Sequence, residues 1–211
     1  MKSLRELFRI GQGPSSSHTM GPRAAAEKYL ASHPDATQFK VTLYGSLAAT
    51  GKGHLTDWAI EQVLGAERTE IVWLPEIVLP FHPNGMKFEV LDAEGGTHDA
   101  WVVYSVGGGA LAEEGQDSLE SPDVYDLDHL LDIMAWCEQR GRSYWEYVDH
   151  CEGPEIWDYL AEIWEVMKES VERGLDTEGV LPGGLNLQRK APHYFIKAMG
   201  YNSNLQTRGL V

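Results

Sequence analysis

Apolar positions fall into stretches whose period changes along the chain. Leu4, Leu7 and Phe8 recur at helical spacing and predict a short helix that stops at Gly11. Beyond the hydroxyl-rich segment Gly11–Thr19 a second helix is expected, opening between Ser17 and Pro22 and running to about Ser32. Proline fits only a first turn, where its missing N–H deprives no partner, and Ala24–Ala26 and Leu30 favour helix after it. Phe39–Ser46 alternates and is rich in aromatic and β-branched residues, as in a strand with one buried face. A loop over Ala48–Gly53 then leads to a helix from about Leu55 to Leu64, capped by Thr56 or Asp57 and ended by Gly65.

A second β region spans Ile71–Ser105, strongest over Met86–Leu91 and Ala100–Ser105. Between these lies Glu94-Gly95-Gly96-Thr97, whose glycines permit the positive φ angles of a tight hairpin. Gly107-Gly108-Gly109 ends the last strand, and the remainder reads as helix over Asp126–Arg140, Ser143–Cys151 and Pro154 to about Arg173. Ser143 and Glu146 have the spacing of a capping box. The stripe Trp145, Trp157, Tyr159 and Trp164, with Leu160, Ile163 and Met167, reads as core or subunit interface and makes a homodimer plausible. No repeat appears. The expected class is α+β, a small mixed and largely antiparallel sheet with helices before, between and after its strands.

Composition narrows the possibilities. The 211 residues are 43% hydrophobic, enough for one substantial domain or one domain with a short appendage. The net charge of -15 and pI of about 4.8 argue against nucleic acid as a partner. No apolar run approaches the ~20 residues of a bilayer span, and Met1–Ile10 is charged, so neither a membrane span nor a signal peptide is expected. Arg189, Lys190, Lys197 and Arg208 follow Leu185 with no acidic residue among them. That change of sign after Leu181-Pro182-Gly183-Gly184 predicts a domain over 1–185 and a basic linker over 186–211. The ending Gly209-Leu210-Val211 closes no element, and further chain or a partner chain is expected after it. Cys137 and Cys151 are the only cysteines and lack CxxC spacing, which does not indicate a disulfide scaffold. An iron–sulfur cluster takes three or four thiolates as a rule, so this chain alone is expected to bind none.

Two constellations carry candidate chemistry. Gly11–Thr19 sets Ser15, Ser16, Ser17, His18 and Thr19 just before a helix, where free N–H groups and the dipole favour a carboxylate or phosphate. The same residues also suit an ordinary capping loop. The second, Tyr44–Asp57, is a strand, a glycine-rich loop and a helix start. It fails the phosphate-loop pattern, because five residues separate Gly45 from Gly51 and Gly53 stands where the magnesium-binding hydroxyl would follow Lys52. What remains is a loop in which Lys52 and backbone amides suit a carboxylate, with His54 and Asp57 close in space. His18, His54 and Asp57 lack the spacing of a metal site, and none is assigned. His82 and Asn84 read as turn residues or site members, and Gly107–Gly109 as a strand end or a place of close approach.

Taken together, Gly13–Pro22, Tyr44-Gly45-Ser46 with Thr50–Asp57, His82–Met86, Tyr104–Gly109 and Asp176–Gly183 resemble the β domain of iron–sulfur-dependent L-serine dehydratases, in the same order, over about Leu4–Lys190. The resemblance implies a cytoplasmic lyase that converts L-serine to pyruvate and ammonia, with a [4Fe–4S] cluster held by a separate α domain or α chain. It implies that this chain alone is inactive and that 186–211 is a linker or the start of that α domain. It also implies a fold like the allosteric substrate-binding domain of some phosphoglycerate dehydrogenases. Ser15, Ser16, Ser17, His18, Thr19, Lys52, His54 and Asp57 would then face substrate, with His18 or His54 taking the α proton, a task suited to imidazole near neutrality. Asn84, Met86 and Gly107, Gly108 and Gly109 would add polar and backbone contacts. The alternative role is a purely regulatory serine-binding and oligomerisation module; a third reading is an unrelated acidic interaction domain.

Overall fold

A computed structural model describes residues 1–92, 94–115 and 123–207. Arg208 and Gly209–Val211, part of the expected linker, lie outside the described residues. The elements follow in the order α1 (Leu4–Leu7), α2 (Gly21–Ser32), β1 (Gln38–Tyr44), α3 (Gly45–Thr50), α4 (Thr56–Leu64), β2 (Thr69–Leu74), β3 (Gly85–Leu91), β4 (Thr97–Gly107) and β5 (Ala110–Ala112). Helices α5 (Leu130–Arg140), α6 (Tyr144–Glu152), α7 (Glu155–Asp176) and α8 (Ala191–Thr207) complete the chain. The five strands form one sheet in the order β2-β1-β3-β4-β5, with β1 and β2 parallel and the other pairs antiparallel. The expected α+β class, with a mixed and largely antiparallel sheet, is the observed one.

Alternation along the strands decides which face is covered. Phe39, Val41 and Leu43 of β1 stand in register with Val90, Phe88 and Met86 of β3, and all six are buried. Ala25, Ala26 and Tyr29 of α2, Leu47 of α3, and Ile60 and Leu64 of α4 close over this face as a single apolar cluster. A parallel β1–β2 pair needs a crossover, and α3 and α4 supply it. The hairpin between β3 and β4 uses Gly95 at φ 82, while Asp92 Oδ1 accepts from the amides of Glu94 and Gly96 at 2.9 and 2.7 Å.

A smaller cluster holds Tyr125, Cys137 and Tyr147 between α5 and α6. Ser143 and Glu146 form the anticipated capping box at the start of α6. The N-terminal segment fastens this cluster to α1, since Glu152 accepts from Ser3 Oγ at 2.7 Å and from the Leu4 amide at 2.6 Å. No helix among the described residues is long and apolar enough to cross a membrane.

Two local expectations are corrected. The loop expected over Ala48–Gly53 is the helix α3 followed by a 3-10 turn over Gly51–His54. Neither Thr56 nor Asp57 caps α4, because Leu55 takes the N-cap position at φ 60 and the Thr56 hydroxyl is engaged elsewhere. Within the segment expected to be a linker, Ala191–Thr207 is a helix of 17 residues.

Candidate functional site

Helix α2 is preceded by one wide turn, Ser16–Met20, in which the amides of Thr19 and Met20 both donate to the Ser15 carbonyl. Wide turns of this kind recur at functional sites. Ser15 caps it, its hydroxyl accepting from the His18 amide at 3.2 Å. The turn directs His18 inward until only 9% of the residue is exposed. Its Nε2 lies 3.3 Å from the Ser46 carbonyl at the start of α3, and its Nδ1 lies 2.9 Å from Ser17 Oγ. A carbonyl only accepts, so Nε2 carries the proton and Nδ1 receives the Ser17 hydroxyl. Burial holds the His18 pKa below the ordinary imidazole value; the Ser46 carbonyl opposes the shift and neighbouring His54 adds to it.

His54 closes the 3-10 turn, and its ring centroid lies 4.9 Å from that of His18 with the planes tilted by 40°. Its Nδ1 is 3.0 Å from the Thr50 carbonyl, so in the neutral ring Nδ1 donates and Nε2 carries the lone pair. The two loops are stitched reciprocally. Thr19 Oγ1 donates to the His54 carbonyl at 2.8 Å, and Thr56 Oγ1 donates to the His18 carbonyl at 2.5 Å. Thr19 and Thr56 are 1% and 0% exposed, so each hydroxyl satisfies a main-chain acceptor that water barely reaches. Between His54 and Thr56, Leu55 holds the left-handed conformation at φ 60, a cost of about 1–2 kcal/mol for an L-residue.

The turn before β3 comes to the same place. The Ser46 amide donates to the Pro83 carbonyl at 2.9 Å. Asn84 Nδ2 donates to the Ser105 carbonyl at 3.2 Å, while the Ser105 amide donates to the Asn84 carbonyl at 3.0 Å. Asn84 Oδ1 and Ser105 Oγ are buried without a hydrogen-bond partner among the described residues. A Cβ added to Gly21 would overlap Ser105 Oγ, so α2 approaches β4 this closely only through glycine.

The structure therefore gathers Ser15, Ser16, Ser17, His18, Thr19 and His54, with Asn84 tied in through Ser46 and Ser105. The other expected members are engaged in contacts of their own. Lys52 is exposed and sits 5.3 Å over the Trp73 ring of β2. Asp57 Oδ1 accepts from the adjacent Trp58 amide at 2.9 Å. Met86 is fully buried in the main core. Gly107, Gly108 and Gly109, at φ 111, 59 and 82, make the β4–β5 turn. Gly109 lines a cavity of about 490 Å³ with Arg9, Gly11, Gln12, Met20 and Arg23, and the Gly108 carbonyl accepts from Arg9 at 3.3 Å. Sequence reasoning missed the Ser46 carbonyl, the Thr56 hydroxyl and the Ser105 hydroxyl. A main-chain acceptor leaves no sequence signal, whereas the hydroxyl of Thr56 beside two histidine loops was visible and was attributed to a cap.

The donor set does not suit a resident cluster. Cys137 and Cys151 are free thiols of the small helical cluster, the first buried and the second half-buried. Among the described residues no group of three or more His, Cys, Asp or Glu side chains is arranged to hold a metal ion.

Fold and site define an α+β domain whose reactive groups converge on two facing imidazoles at the starts of α2 and α4. The family model described as serine dehydratase beta chain matches residues 3–70 and 61–116, and the chain belongs to that family. It is 31% identical to L-serine dehydratase 1 of Escherichia coli, with 90% of this chain and 53% of that protein aligned. It is 32% identical to an L-serine dehydratase of Streptomyces coelicolor at the same coverages, and 29% identical to one of Haemophilus influenzae, there over 97% of this chain and 56% of the relative. The chain thus spans about half the length of the relatives it matches.

Proposed function

We propose that this chain is the β part of a cytoplasmic L-serine ammonia-lyase, which converts L-serine to pyruvate and ammonia, and that it binds L-serine and completes the active site. The observation that carries the reading is the His18–His54 pair, buried at one end and reachable at the other. His54 takes the α proton of serine on Nε2, because its Nδ1 is committed to Thr50. His18, kept neutral by burial with Nδ1 on the Ser17 hydroxyl and Nε2–H on the Ser46 carbonyl, packs against the His54 ring and places no positive charge beside it as it takes that proton. The hydroxyls of Ser15 and Ser16 and the amides of Ser16 and Ser17 receive the carboxylate while Ser17 Oγ stays on His18, Lys52 swings from Trp73 toward it, Asp57 faces the substrate ammonium, and Thr19 positions His54. Asn84 and the Gly107–Gly109 turn shape the surrounding wall.

The reading includes a [4Fe–4S] cluster on an α part, where it would act as Lewis acid on the serine hydroxyl. This chain offers two cysteines in a cluster remote in sequence from both histidine loops, which does not fit such a group, so no step of the chain's own chemistry passes through it. Two copies would meet through the exposed aromatic rings of α6 and α7.

The test is a titration of the chain with L-serine, and with D-serine as control, read on the ring C–H resonances of its histidines. The expected result is a saturable, stereoselective shift of the His18 and His54 signals. Absence of any shift up to tens of millimolar serine would contradict a serine site within this chain.

A further inference from the structure

The residues 180–188 form a narrow strap between α7 and α8, closed by a bridge from Val180 to Gln188 and by the Leu181 amide donating to the Leu187 carbonyl at 2.8 Å. A linker would leave such a segment to solvent, but this one lies on the 3-10 turn that carries His54. A Cβ on Gly183, which sits at φ 104, would overlap the Gly53 carbonyl oxygen and come within 3.7 Å of Leu55 Cγ. A Cβ on Gly53 would lie 2.9 Å from Leu185 Cδ2, and one on Gly184 would lie 3.7 Å from Gly53 Cα. Gly183 meets the Gly53 backbone and needs glycine there, while Leu185 covers Gly53 with its side chain.

The geometry points to a positioning role: the 180–188 strap fixes the His54 imidazole by clamping both of its chain neighbours, Gly53 and Leu55, against the body of the domain. Three constraints meet at this residue. Thr19 holds the His54 carbonyl from below, the strap presses Gly53 from above, and Leu55 persists in a left-handed conformation that surrounding contacts must maintain. The strap lies outside the residues matched by the family model, which end at 116. It joins α7 to α8, so a force on either helix reaches His54 through two glycines. Its importance to serine chemistry rests on the reading above, whereas the clamp itself does not.

The experiment compares the histidine ring resonances and their through-space contacts, at one pH, in the 211-residue chain and in the variants Gly183→Ala and Leu185→Ala. Gly174→Ala, at an open position of α7, is the control. Both strap variants should shift the ring resonances of His54 and of neighbouring His18, while those of His33 and His150 stay unchanged and the control matches the parent. A folded Leu185→Ala chain with His54 and His18 signals identical to the parent overturns the proposal, even if Gly183→Ala fails to fold. A strap response without any serine-dependent shift would leave the clamp intact and contradict the proposed function instead.

Discussion

Neither histidine is chemically defined until its neighbours are. His18 is neutral because the turn over Ser16–Met20 buries it, and its lowered pKa has a consequence for stability. The unfolded chain protonates this ring near pH 6.5, while the folded chain does so only at a lower pH, so the folded state binds fewer protons in between. Stability should therefore fall as the pH drops through 6.5 toward the folded value. His18→Gln, which keeps a donor for Ser46 and removes the titration, should flatten that part of the curve in urea unfolding at pH 7 and pH 5. An unchanged pH dependence would contradict the assignment. Thr56→Val preserves shape and strands the His18 carbonyl without its buried donor. It should cost about 1–3 kcal/mol in the same assay. Both histidines were legible as candidates because each stands in a hydroxyl- or glycine-rich loop at a helix start, where free amides suit a small anion. Their pairing was not, since a separation of 35 positions conceals that Thr19 reaches the His54 carbonyl.

Among elements, strands and helices with strict period were read well, and short or irregular ones were not. Met86–Leu91 falls inside β3, and Gly65 ends α4 at φ 90 as its position predicted. The helix α3 hid inside a glycine-rich run, because Gly45 and Gly51 lower local helix propensity while the packing of Leu47 and Ala48 overrides it. The three-residue β5 is too short to carry a period. Close packing of α2 on β4 gives a direct check on this scale. Ala normally exceeds Gly in a helix, yet Gly21→Ala should destabilise the domain by about 1–3 kcal/mol, because its methyl group would displace Ser105. The companion change Ser105→Gly should restore part of the loss in thermal unfolding, and an additive double variant would contradict the contact.

At the scale of the molecule, the net charge of -15 coexists with a long apolar stripe. Trp164, Met167 and Val171 of α7 are 57%, 49% and 60% exposed, and Tyr194, Ile196 and Met199 of α8 are exposed as well. Apolar positions this concentrated are what the proposed contact face would use. The stripe was legible in the sequence, but its choice between core and interface was not, because periodicity gives a face and not its cover. Sedimentation of the chain across concentrations should show association that Trp164→Glu with Met167→Glu abolishes; a monomer in both cases would contradict that use of the face.

The proposed catalytic role of His54 is tested most directly by the turnover number of the proposed lyase, assembled from this chain and the proposed cluster-bearing α part, compared between the parent chain and His54→Asn. Asparagine retains a donor for the Thr50 carbonyl and removes the lone pair at the Nε2 position. The account predicts a fall of at least ~100-fold in kcat, as for loss of a general base. An unchanged kcat with altered activation by serine would contradict it and leave this chain a regulatory module.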